Sequence, residues 1–175
     1  MSYGETVVAS GSGLWWVVLN YRLPREPSTP RIAVWRKLKR LGVAQLGDGL
    51  VALPADARTQ EQLEWVAEEI AQAGGSSNLW QATLMSRAQE RALVERMAGA
   101  RAVEYRSIVE RASVAVDLEG RERMAAVRSL RAELRRIQRR DYFPPAERAE
   151  ARLALQTLAT SEGPGAEVGG TEVSS

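Results

Sequence analysis

Apolar positions follow two periods along the chain, short continuous runs first and helical stripes after them. Six uninterrupted apolar residues, Leu14 to Leu19, open the patterned region. A run this short, rich in Trp and Val, cannot span a membrane and predicts a buried central strand. Pro24, Pro27 and Pro30 in the polar turn that follows delay the next helix. Ser28 or Thr29 is the candidate cap, with Pro30 in the first helical position. The helix then carries Ile32, Val34 or Trp35, Leu38 and Leu41 on its inner stripe. Arg31, Arg36, Lys37, Lys39 and Arg40 fall on or beside the solvent side, and Gly42 stops it. Val43 to Leu46 and Leu50 to Leu53, joined by Gly47-Asp48-Gly49, predict a β-hairpin.

Thr59 can cap a second helix with Gln62 completing a capping box. Its stripe is Leu63, Val66, Ala67 and Ile70, with Trp65 beside it and Glu61, Glu64, Glu68 and Glu69 toward water, and Gly74-Gly75 ends it. Asn78 to Met85 alternates loosely and predicts a fourth strand. Residues 14–85 thus spell β-α-β-β-α-β, an α+β, ferredoxin-like sandwich with two helices over one face of a four-stranded antiparallel sheet. All five Trp lie in this stretch, which predicts that the second face is apolar too.

Residues 86–160 read as a helical extension. Ser86 caps a helix with two apolar sets, Leu93, Val94, Met97 and then Tyr105, Ile108, Val109, Ala112, Val116, with Gly99 between them as a weak point. A helix from about Glu119 to Arg140 spaces Met124, Val127, Leu130 or Arg131, Leu134 and Ile137 like the a and d positions of heptads. Asp141-Tyr142-Phe143-Pro144-Pro145 breaks it, and Ala146 to Leu158 forms a last helix burying Leu153, Leu155 and Leu158. Residues 1–13 are expected to be a flexible leader, and 161–175, rich in Gly and Ser, a disordered tail.

Composition narrows the chemistry. The 175 residues include no Cys and no His, which removes thiol nucleophiles, Cys/His zinc sites and histidine acid–base catalysis. The start of the chain lacks a basic and apolar leader, so a cytoplasmic location without membrane association is expected. Net charge is only +2, but residues 86–160 hold sixteen Arg and no Lys against eleven Asp and Glu. Arg's planar fork suits phosphate or carboxylate.

Two basic stretches are candidates for nucleic-acid contact: Arg31, Arg36, Lys37, Lys39 and Arg40, and the helical row Arg128, Arg131, Arg135 and Arg139, whose three- and four-residue steps can follow a phosphate backbone. The alternative is a solvated face paired to Glu147, Glu150 and the glutamates of the second helix. Arg22, Arg25 and Arg31 flank a loop that enters a helix N-terminus, a candidate oxyanion site; pairing to Glu26 or Asp48 is the alternative there. Metal-dependent nucleases of this β-α-β-β-α-β layout, such as the small CRISPR adaptation subunit, place an acid at the end of the first strand. Asn20 stands there instead, so catalysis by bound metal is not expected. No Gly-rich phosphate loop follows a strand. No catalytic residue, metal site or cofactor is therefore expected.

Particular strings go further than periodicity. Leu14-Trp15-Trp16-Val17-Val18-Leu19 with Leu23-Pro24, the run Arg31 to Gly42, and Gly49-Leu50-Val51-Ala52-Leu53-Pro54 resemble the N-terminal domain of the ChrB chromate-resistance regulatory proteins. Arg101 to Tyr105, Ser107-Ile108-Val109 and Arg140-Asp141-Tyr142-Phe143-Pro144 are similar to its helical part. The resemblance implies a non-enzymatic regulator in chromate-responsive control of an efflux operon, and kinship with the central domain of phenylacetate-operon repressors. Operator DNA, chromate or a related oxyanion, and a second copy in a homodimer are the partners it suggests, with a protein-interaction module lacking DNA binding as the alternative. Full members of the family carry a further C-terminal domain, so a stand-alone N-terminal module is expected.

Overall fold

The computed structural model describes residues 13–160. Apart from Gly13, the expected leader and the expected tail lie outside the described residues. The chain divides into two compact units on either side of Val94 and Glu95. The division falls inside a helix, later than the change from sandwich to helices at residue 86.

The first unit is α+β: β1 Trp15–Arg22, α1 Ser28–Leu41, β2 Ala44–Gly47, β3 Leu50–Pro54, α2 Ala57–Gln72 and β4 Ser76–Thr83, followed by the start of α3 (Arg87–Ala115). The four strands form one antiparallel sheet in the order β2-β3-β1-β4. The first apolar run is indeed an inner strand, because β1 has β3 on one side and β4 on the other. Register pairs Val17 with Leu53 and Leu19 with Val51, and these four alternate residues are buried on one face. Trp16, Ala44 and Ala52, of the opposite pleat, are buried as well, whereas Trp80 on the edge strand β4 is 61% exposed. Packing of α2 on β1 and β4, and of α1 on α2, adds Val34, Leu38, Leu63, Val66 and Ile70 to the core.

The turns follow backbone chemistry more closely than the apolar pattern did. Gly49 adopts φ +65, and the Tyr21 N–H donates to its carbonyl at 2.7 Å. A Cβ at Gly49 would sit 2.2 Å from the Tyr21 carbonyl oxygen, so only glycine fits. Gly42, at φ 74, ends α1 as expected. The start of α1 differs: the helix begins at Ser28, Pro27 is its cap, and no side chain closes it. Pro30 is thus the third helical residue, still within the first turn where a missing N–H does no harm. The start of α2 differs too. Asp56 is the cap, accepting from the Thr59 N–H at 2.7 Å, while the Asp56 N–H donates to Thr59 Oγ1 at 3.0 Å. Thr59 therefore closes the capping box from its third helical position, and its buried hydroxyl donates to the Pro54 carbonyl at 2.6 Å.

The described residues of the second unit form helices alone, joined by short turns: the remainder of α3, α4 Gly120–Gln138 and α5 Glu147–Thr160. One continuous helix runs through Gly99, where a Cβ would meet nothing within 4 Å. Its core is Tyr105, Ile108, Ala112 and Ala115 of α3, Val127, Leu130, Leu134 and Ile137 of α4, and Ala151, Leu155 and Leu158 of α5. Most of the heptad-like row of α4 is therefore an internal seam; Met124, 61% exposed, falls outside it, as does Leu153 of α5 at 63%. Among the described residues no helix is long and apolar enough to cross a membrane.

Candidate nucleic-acid interface and buried charge network

Because α4 turns Val127, Leu130, Leu134 and Ile137 inward at three- and four-residue steps, the residues between them must face out. Arg128, Arg131, Arg135 and Arg139 are all exposed. Seven residues of α-helix rise about 10.5 Å, so Arg128 and Arg135 stand about that far apart along one face. Arg135, Arg139 and Gln138 line a shallow groove. Two glutamates of the helical unit have other partners: Glu147 is held by Arg106 at 2.5 Å and Glu133 by Arg111 at 2.6 Å.

Not every Arg of the run joins that face. Arg123 is turned inward, 8% exposed, and donates from Nε to the Leu118 carbonyl at 2.9 Å and from Nη2 to the Val116 carbonyl. It satisfies carbonyls left over where α3 ends, a structural role that a charge count cannot reveal. Arg140 points to Glu104, 2.7 Å away.

That last contact belongs to a network linking the strings Arg101 to Tyr105 and Arg140 to Pro144. Glu104 bridges Arg101, at 2.9 Å, and Arg140. One residue on, the Tyr105 hydroxyl donates to Asp141 Oδ2 at 2.7 Å, and Arg148 lies 3.5 Å from the same oxygen. The Asp141 side chain is completely buried. Its Oδ1 has no hydrogen-bond partner, nor do the Nε atoms of Arg101 and Arg140. Burial, reinforced by the hydrogen bond to Asp141, pushes the Tyr105 phenol above the ordinary tyrosine range. Burial lowers Arg101, with nearby Arg140 adding to the effect and Glu104 opposing it. In the sequence Asp141 reads only as a helix stop; its partnership with Tyr105 is a tertiary fact with no local pattern. A cleft beside the network is lined by Glu104, Ser107, Glu133, Arg136 and Arg140, which carry charges of both signs.

The remaining candidates lie in the first unit. Arg31, Arg36, Lys39 and Arg40 are exposed on α1, and Lys37 reaches Glu69 of α2 in an ion pair. Lys39 lies 4.3 Å from the centre of the Trp35 ring. Arg22 and Arg25 are exposed in the end of β1 and the loop after it, and Arg31 in the first turn of α1. Neither Glu26 nor Asp48 pairs with them among the described residues. Asn20 is exposed and paired in register between Leu50 and Asn78, and no group of three or more acidic side chains that could hold a metal ion occurs among the described residues.

The model of the ChrB N-terminal domain matches residues 31–163, a span holding most of α1, the Arg face of α4 and the whole buried network. The chain belongs to the ChrB N-terminal family. It is 29% identical over 145 residues to Protein ChrB of Cupriavidus metallidurans, an alignment covering 81% of this chain and 44% of that protein. The chain thus spans less than half the length of its curated ChrB relative. No solved structure matches it.

Proposed function

We propose that the chain is a non-enzymatic, chromate-resistance regulator of the ChrB kind, and that it contacts operator DNA through the outward Arg face of α4. The observation that carries this reading is the row Arg128, Arg131, Arg135 and Arg139, exposed on one side of a helix whose other side is locked into a core. A rigid helix presenting guanidinium groups at steps of about 5–10 Å can engage successive phosphates without ordering a loop. Family membership supports the physiological setting, control of a chromate efflux operon. The α1 cations are weaker candidates for DNA, since they stand beside the glutamates of α2. Arg22, Arg25 and Arg31 are the proposed contacts for chromate or a related oxyanion, because α1 begins there with no side-chain cap and no acidic residue in its first turn. We read the first unit as ferredoxin-like, supported by the order β2-β3-β1-β4 on a β-α-β-β-α-β chain.

The test is binding of the purified protein to a labelled fragment from upstream of its own operon and to a scrambled one, with and without chromate. Preference for the cognate fragment, relieved by chromate, is the expected result. Binding to neither fragment would refute the DNA contact and leave a protein-interaction module as the reading.

A further inference from the structure

The helical layer of the first unit carries opposite charge on its two neighbouring helices. Between Ser28 and Leu41, α1 holds five cations and no acid; between Ala57 and Gln72, α2 holds four Glu against one Arg. The two helices pack side by side, tied by Lys37 and Glu69. Opposite the buried Val34 and Leu38, α1 turns Ile32, Arg36 and Arg40 outward in one row of four-residue steps, with Lys39 beside them. Opposite the buried Leu63, Val66 and Ile70, α2 turns Glu61, Glu64, Trp65 and Glu68 outward. Each strip also presents a large apolar side chain to solvent: Ile32 is 45% exposed and Trp65 is 54% exposed.

We propose that this layer is a self-complementary face that binds a second copy of the chain, α1 of each protomer lying on α2 of the other. A two-fold axis between the helices has this property, because whatever residue i meets in the partner, the partner's copy of i meets in return. The basic strip with Ile32 then covers the acidic strip with Trp65 twice over. Trp and Arg are the residue types that concentrate at such contacts. Helices of 14 and 16 residues are about 21–24 Å long and together about 20 Å wide. That footprint lies at the small end for a specific dimer, so the association should depend on concentration and salt. The proposal concerns the first unit alone and stands independently of DNA contact by α4.

Charge reversal tests it on the full chain. Arg36→Glu with Arg40→Glu makes both strips acidic; Glu61→Lys with Glu68→Lys makes both basic. None of these four residues forms an ion pair among the described residues, so neither variant removes an internal ion pair. By sedimentation velocity over a concentration series at low salt, the unaltered chain is expected to dimerise and to dissociate as salt is raised. Each reversed variant is expected to sediment as a monomer, and an equimolar mixture of the two to form a heterodimer, since every contact is again between opposite signs. Recovery in the mixture also shows that both variants are folded. The proposal is overturned if the unaltered chain is monomeric throughout, if either reversed variant still dimerises, or if the mixture stays monomeric. It is equally overturned if reversal on α1 alters only DNA affinity.

Discussion

Tyr105→Phe removes one oxygen atom from the second unit, yet its cost should be large for so small a change. The hydroxyl lies 2.7 Å from Asp141 Oδ2, and the Asp141 side chain has no exposed surface. Once it is gone, Asp141 retains Arg148 at 3.5 Å as its nearest cation, and Oδ1 is already without a partner. A hydrogen bond to a charged group contributes about 1.5–3 kcal/mol, and stranding a buried carboxylate adds a desolvation penalty. We therefore expect Tyr105→Phe to lower stability by about 2–3 kcal/mol in urea unfolding followed by circular dichroism, with the slope unchanged. In a cycle with Asp141→Asn the two changes should couple by about 1–3 kcal/mol. The pH dependence has a definite sign. Because the folded phenol titrates above the ordinary tyrosine value of about 10, its contribution is complete below that pH and is lost as pH rises toward the folded value. The stability gap between the unaltered chain and Tyr105→Phe should accordingly narrow in alkali. A loss within about 0.5 kcal/mol, or strict additivity with Asp141→Asn, would refute the network as a source of stability.

Other substitutions probe the backbone and the seam. Gly99→Ala should raise stability by about 0.5–1 kcal/mol in thermal unfolding, because α3 is continuous and its Cβ meets nothing within 4 Å; a loss would mean the helix needs glycine there. Gly49→Ala should cost about 2–3 kcal/mol by the same measurement, since φ is +65 and the new Cβ lies 2.2 Å from the Tyr21 carbonyl oxygen; a neutral result would contradict the turn described. Leu130→Glu with Leu134→Glu should unfold the second unit, with loss of helical far-ultraviolet dichroism, and cost more than about 4 kcal/mol, because both side chains are core. A folded protein with merely altered assembly would show that the seam faces a partner.

Elements governed by local chemistry were legible in the sequence, and placements governed by tertiary packing were less so. Among the described residues the order of four strands and five helices follows from turn residues such as Gly42, Asp48-Gly49 and Gly74-Gly75. Boundaries slipped where two residues could serve one purpose: Asp56 and Thr59 can each begin α2, and the structure uses both in one reciprocal cap. Periodicity likewise could not decide between Val34 and Trp35 as the inward residue of α1, and Val34 is the one buried, with Trp35 48% exposed. A heptad-like row cannot announce whether it meets a second copy or its own chain. In α4 it meets α3 and α5. The Arg face of α4 was legible because it is what remains when the apolar stripe turns inward, whereas Arg123 turns in to carbonyls that α3 leaves over and Asp141 meets a tyrosine 36 residues away, and neither leaves a periodic signal.

Salt dependence of DNA affinity bears most directly on the central proposal. Each phosphate contact contributes about 0.9 to the slope of log affinity against log salt, so replacing Arg128, Arg131 and Arg135 by Gln should weaken binding and flatten that slope by about 2.7. An unchanged affinity and slope in the folded triple variant would contradict the assignment of α4 as the DNA-contacting face.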